Sequence, residues 1–322
     1  MALNTVITLY FLIVAGGVVR STGAGMGCPD WPRCFGRWVP PTEVSQLPVN
    51  YKEIYGAKLK GEVIFNPTKT WIEYVNRLLG AFTGVMIFLT LLAAIPFLKS
   101  SHRHIFFLSV SAFVLVGVQG WLGAKVVSFE LLPVMVTLHM LLAIVIVFLL
   151  LYLFTWAGYT ANVVEKGRPH DAALNKIGVV VLTLSVIQIL LGTQVREVMD
   201  EVIARLGYSE RARWIDGLGA IFYFHRSFSI AVLAINVLWI VRIRKSAGAG
   251  SPQSKIASVC MLILIIELIS GLAMAYYGVP AFAQPLHLVL AILMIGLQFV
   301  IWLLVNGERF LRTENGLKFE IS

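Results

Sequence analysis

The chain has 322 residues, 58% of them hydrophobic and only 13% charged, with a formal net charge of +9; its mean hydropathy is +0.82. A soluble domain carries about 25% charged residues, so composition excludes an ordinary aqueous fold. The apolar residues fall in blocks of about 20, the length that crosses a bilayer, and the positive charge reads as membrane topology and not as a nucleic-acid footprint.

The first apolar block, 2–20, has no cationic flank before it and reads as a retained helix, not a cleaved signal. A long polar segment, 21–72, follows. It carries Cys28 and Cys34 in "GCPDWPRC", separated by five residues of which two are proline. Outside the membrane such a pair can bond, either as a staple for the loop or as redox-active thiols. Further blocks run 73–98, 104–124, 131–157, 174–195, 219–243, 256–277 and 282–305, with Cys260 in mid-span as packing. Backbone in lipid must satisfy its own hydrogen bonds, so the fold class is all-α, a polytopic protein of eight transmembrane helices.

Short loops set the orientation. Lys99 and Arg103, Lys166 and Arg168, and Arg244, Lys245 and Lys255 mark three connections as cytoplasmic by the positive-inside rule. Both termini then face the cytoplasm, and the 21–72 and 196–218 loops lie outside. His102, His104 and His170 fall at inner loops and read as solvated residues.

The two halves of the chain repeat. Asn76-Arg77 in "EYVNRLLG" aligns with His225-Arg226 in "FYFHRSFS". Gly123 in "QGWLG" stands 47 residues after Asn76, and Gly271 in "ELISG" stands 46 after His225. His139 and His287 each follow those glycines by 16 residues, and Arg20 matches Arg196. Four helices per unit keep both units in one orientation, about an axis along the membrane normal. The expected organisation is therefore two tandem four-helix bundles, 1–157 and 158–322. Gln119, Gln188 and Glu267 each stand four residues before a glycine; Glu267, deep in a span, needs to be neutral, paired or hydrogen-bonded.

Asn76, His139, His225 and His287 lie 3 to 8 residues past the starts of spans that enter from outside. At 1.5 Å per residue they share a depth of roughly 5–12 Å. An imidazole in lipid needs a partner. A hydrogen bond is one solution; haem iron, which takes axial histidine, is the other, and His225 and His287 in repeat-related places favour it. Arg20, Arg77, Arg196 and Arg226 share that level, where guanidinium can pair haem propionates, pair along a helix or snorkel. Glu73, four residues before Arg77, can form an i,i+4 ion pair.

The strings "GGVVRSTGAGMGCPDWPRCFGRWVPP", "EYVNRLLG", "GWLGAKVV", "TLHMLLA", "LGTQVRE", "HRSFS" and "PLHLVLA" together resemble the haem A synthase family. The likeness runs in order from residue 16 to about residue 300. It implies a membrane oxidoreductase of the inner cell membrane that oxidises the C8 methyl of haem O to a formyl group. It implies haem b between His225 and His287, haem O in the N-terminal half with His139 on its iron, Glu73 as catalytic acid, and Cys28 and Cys34 in the outer loop. Implied partners are haem O, an unidentified electron donor, a haem O supplier such as the haem O synthase, and membrane lipid, with no nucleic acid. Many members of that family have histidine where Asn76 stands. An amide can donate a hydrogen bond without closing an axial position, so Asn76 suits a reacting site; drift to a polar packing residue is the other reading. The rival functions are a non-enzymatic b-type cytochrome and a haem carrier.

Overall fold

The computed structural model describes residues 1–56, 65–129, 131–161 and 172–311. Lys166, Arg168 and His170 lie outside the described residues. The long helices are α1 (Ala2–Ser21), α3 (Pro67–Ala94), α4 (Arg103–Ser128), α5 (Pro133–Thr160), α6 (Ala172–Leu206), α7 (Ala220–Ala247), α8 (Pro252–Tyr276) and α9 (Ala283–Val305). These are the eight helices long and apolar enough to cross a membrane. Two short ones join them, α2 (Tyr51–Gly56) and α10 (Gly307–Phe310).

Local chemistry sets their ends. Asn66 caps α3 by accepting from Lys69 N–H, with Pro67 at the first helical position. Ser251 caps α8 in the same way ahead of Pro252, and Pro133 opens α5. Proline suits that position because its missing N–H would have no helical partner there. Gly248, at φ 81°, ends α7.

In contact, α3 packs on α1 and α4, and α5 on α4 and α1; α7 packs on α6 and α8, and α9 on α8 and α6. Across these groups α9 meets α1 and α5. One buried cluster runs through α1, α3, α4 and α5 and takes in Ile292, Ile295 and Leu303 of α9. A second joins Val181, Trp239, Ile240, Ile243, Cys260 and Ile263 to Met294 and Ile301 of the same helix. Helix α9 thus serves both clusters. Lipid is as apolar as these side chains, so their close fit, more than expulsion of water, holds them together.

Two smaller cores cover one end of the bundle, where the C-termini of α1 and α6 meet the N-termini of α3, α5, α7 and α9. Cys28, Cys34, Phe35, Leu47, Tyr51, Tyr55 and Phe65 form one. Met199, Val202, Trp214, Leu218 and Val279 form the other. The second differs from the loop expected over 196–218. Helix α6 continues to Leu206, followed by 3-10 turns at Tyr208–Arg213 and Ile215–Leu218. Val195, Met199, Val202 and Leu206 recur at helical spacing and give this extension an apolar face to bury under Trp214.

At the opposite end His102 departs from the solvated reading. It is 5% exposed, and its ring lies 5.3 Å from that of Trp156, because α5 ends over it. His104 is exposed, as expected.

Gly27 marks the tightest approach of the Cys28 loop to α3. A Cβ there would sit 2.5 Å from Lys69 O and 2.9 Å from Thr70 N. Both are helix backbone and cannot yield. Gly27→Ala is expected to lower stability by about 1–3 kcal/mol and to expose Cys28 and Cys34 to alkylation after mild reduction. Gly80→Ala, whose Cβ meets nothing within 4 Å, is expected to leave the unfolding midpoint in detergent unchanged or slightly raised.

Candidate haem-binding site

Each of the four candidate ligand positions faces a glycine on the preceding long helix. A Cβ on Gly192 would stand 3.2 Å from His225 Cε1, on Gly123 3.5 Å from His139 Cε1, and on Gly271 3.6 Å from His287 Cε1. On Gly16 it would stand 3.9 Å from Asn76 Oδ1. These glycines let a ring lie flat against a neighbouring backbone, the close approach that small residues permit in lipid. The sequence singled out Gly123, Gly192 and Gly271 by the polar residue four places before each; Gly16, four residues before Arg20, completes the set.

His225 and His287 face each other with ring centres 6.5 Å apart and planes at 76°. Two metal–nitrogen bonds of about 2 Å plus two ring radii span roughly 6 Å, so the pair fits one iron between them. Among the described residues no three His, Cys, Asp or Glu gather to cage a bare ion. A tetrapyrrole carries its own equatorial nitrogens and asks only for axial donors, which is the donor set present.

The surroundings of the four positions differ. Gln188 Nε2 donates to His225 O at 3.1 Å, and its repeat-equivalent Gln119 Nε2 donates to His139 O at 2.8 Å. Glu267 is paired: its Oε2 lies 2.6 Å from His287 Nδ1, and Ser270 Oγ lies 2.8 Å from the same nitrogen. No such partner reaches the other rings among the described residues, where the buried Nδ1 atoms of His139 and His225 and Asn76 Oδ1 have none.

One turn before Asn76, Glu73 is 3% exposed. Its Oε2 accepts from Cys28 N–H at 2.8 Å, and its Oε1 is ion-paired with Arg77. Arg77 also donates to Asp30 O (2.7 Å), Arg33 O (3.1 Å) and Cys28 O (3.1 Å). Its guanidinium is therefore engaged with the loop and with Glu73, where the sequence had offered propionate binding or helix pairing. Cys28 and Cys34 are disulfide-bonded. Asp30, which sequence reasoning did not single out, accepts from Phe35 N–H (2.6 Å) and Gly36 N–H (2.8 Å). Phe35 takes a left-handed φ of 53°, held there by edge contacts with Tyr55 and Phe65. Burial, and then the Asp30 carboxylate, raise the Tyr55 phenol above its ordinary pKa.

Arg20 and Arg196 come together. Asp200 accepts from Arg20 at 3.2 Å and from Arg196 at 2.7 Å. Arg196 also donates to Gln284 Oε1 (2.8 Å) and Arg20 O (3.2 Å). Beside them Thr137 Oγ1 donates to Glu197 Oε1 at 2.9 Å. The only signal for Asp200 in the sequence is its place four residues after Arg196. Arg226 stands exposed.

Fold and donors define an eight-helix integral membrane protein of the haem-handling class. The chain belongs to the COX15-CtaA family, described as cytochrome oxidase assembly protein, whose model matches residues 1–299. It is similar to the "Heme A synthase" of Shewanella oneidensis, 24% identical over 84% of this chain and 82% of that protein. It is also similar to the proteins of that name from Orientia tsutsugamushi, 24% identical over 89% and 90%, and Rickettsia prowazekii, 22% identical over 92% and 93%.

Arg77 generates a prediction. Lysine keeps the charge but lacks the planar fork that reaches three carbonyls and Glu73. Each lost charge-assisted bond is worth about 1.5–3 kcal/mol. Arg77→Lys is expected to speed limited proteolysis within residues 28–38 by about tenfold or more, with helix content by circular dichroism unchanged.

Proposed function

We propose that the chain is a haem A synthase, a membrane oxidoreductase that oxidises the C8 methyl of haem O to a formyl group and so makes haem A for terminal oxidases. The family and the names of its relatives support this reading. The observation that carries it is an asymmetry: His225 and His287 face each other, whereas Asn76, aligned with His225 in the repeat, is an amide one turn from the buried carboxylate of Glu73. A cytochrome or a carrier has no use for the second arrangement.

In this reading the chain is two tandem four-helix bundles, 1–157 and 158–322. His225 and His287 hold haem b, which supplies one-electron transfer when bound. Haem O binds as substrate in the N-terminal half with His139 on its iron. The disulfide end faces the outside of the inner membrane, with both termini cytoplasmic. The electron donor and a haem O supplier, such as the haem O synthase, complete the partners. Arg226 is available to a propionate, while Arg20 and Arg196 steady the rim through Asp200.

A methyl C–H bond is inert to side-chain acids and bases, so the chain's own residues supply position, proton handling and exclusion of water. Asn76 offers an amide N–H while leaving an axial position open. Glu73, one turn away, takes up or returns a proton at the reacting edge. Arg77 and Cys28 N–H hold its carboxylate in place under the stapled loop, which keeps bulk water off it.

Two variants test this in cells supplied with haem O, read by extracting and separating the pigments. Wild type is expected to accumulate haem A or its hydroxymethyl precursor. Glu73→Gln preserves shape and the bond from Cys28 N–H but loses the acid; a fall of about 10² or more is expected, the usual worth of a general acid–base group. Unchanged haem A output would remove Glu73 from the mechanism. Asn76→His, which restores the residue many members of the family carry there, is expected to shift the N-terminal site toward a low-spin, six-coordinate spectrum, and a chain that leaves haem O untouched would be a carrier.

A further inference from the structure

Among the described residues, His287 is the one candidate ligand ring whose Nδ1 is held by side chains. Ser270 Oγ donates its own hydrogen to Glu267 O at 2.9 Å, which leaves that oxygen free to accept at His287 Nδ1, 2.8 Å away. Glu267 Oε2 accepts there too, at 2.6 Å. With the ring hydrogen on Nδ1 both oxygens accept from it, and Nε2 is left with the lone pair for a metal. The second carboxylate oxygen, Oε1, is buried with no hydrogen-bond partner among the described residues. The negative charge is therefore spent on one neighbour, the His287 ring.

The repeat lacks this device in its other half. Gln119 occupies the place of Glu267 and donates to a backbone carbonyl, not to the ring. Leu122 occupies the place of Ser270. His139 Nδ1 is buried without a partner among the described residues.

We propose that Glu267, seconded by Ser270, is a positioning residue that fixes the tautomer of His287 and strengthens it as a donor, setting the C-terminal haem at a lower reduction potential than the N-terminal one. The proposal rests on the assignment of haem to His225 and His287. Its physical basis is general. A carboxylate bonded to the far nitrogen of a metal-bound imidazole orients the ring and raises its basicity, and axial-ligand strength and nearby hydrogen bonds set haem potentials. A stronger donor with a buried negative charge behind it favours ferric over ferrous iron. Electrons then run downhill from the bis-histidine site toward the site where the methyl is oxidised. The duplicated halves thereby gain a direction.

The test is spectroelectrochemical titration of the purified full-length protein with its haems, wild type against Glu267→Gln and Ser270→Ala. The haem lost in His225→Ala identifies the C-terminal signal. Glu267→Gln is expected to shift that haem's ferrous–ferric equilibrium about tenfold toward ferrous, a rise of about 59 mV for one electron. The low-spin spectrum should persist and the other haem should keep its potential. Ser270→Ala, the milder change, should move the same haem in the same direction by less. Unmoved potentials in both variants, or equal shifts at both haems, overturn the proposal. If instead His225→Ala and His287→Ala lose no haem, it is the underlying assignment that fails, and the two failures are distinguishable.

Discussion

A bilayer offers no hydrogen bonds, and the disposition of every polar side chain within the spans follows from that. Where a polar group has a protein partner the geometry is close: Thr5 with Thr90 at 2.8 Å, Gln298 with Asn236 at 2.8 Å, Glu267 with His287 at 2.6 Å. Where it has none, as at His139 Nδ1, His225 Nδ1 and Asn76 Oδ1, the cost of burying it bare is large. These three lie toward one end of the bundle, each ring or amide laid against a glycine. Orphaned donors on one level, opposite backbones with no side chains, are what a flat ligand with an iron centre requires.

The two outer cores answer a single problem by different means. In the proposed reading both halves must cover their haem positions on the aqueous side. The C-terminal half does so by lengthening α6 and folding Trp214 over it. The N-terminal half uses a disulfide loop, and that loop reaches the ligand level through Glu73 and Arg77. One buried carboxylate thus joins a secreted-style staple to the neighbourhood of Asn76. Hydrophobic burial drives these aqueous-side cores, whereas fit alone holds the helices in lipid.

Much of this was legible in the residues. Blocks of apolar length located all eight helices, and cap signals such as Asn66-Pro67 and Ser251-Pro252 stood at two of their starts. The spacing of Asn76, His139, His225 and His287 pointed to a repeat, and each of the four faces a glycine on the preceding long helix. The partners were not legible. Glu267 announced itself as an acid in lipid, but nothing in the chain says that it meets a ring 20 residues later. Arg77 was expected to pair with a propionate or with Glu73 along its helix; the Glu73 pair is present, but its three loop carbonyls have no sequence signature. Asp200 looked like one more acid in a polar stretch, since the arginine it shares lies 180 residues away. His102 was misjudged because the helix end that buries it comes from α5. Periodicity records which face is apolar; it is silent about which distant backbone arrives there.

Among the described residues α9 contributes to both large buried clusters, whereas α4 contributes to the first. A substitution on α4 therefore has one set of contacts to satisfy and lipid on its other side. On α9 the same change must suit two interiors at once. This shared wall would therefore be the slowest of the helices to change, and a chain cut after α5 would yield a first fragment with an open seam where α9 belongs.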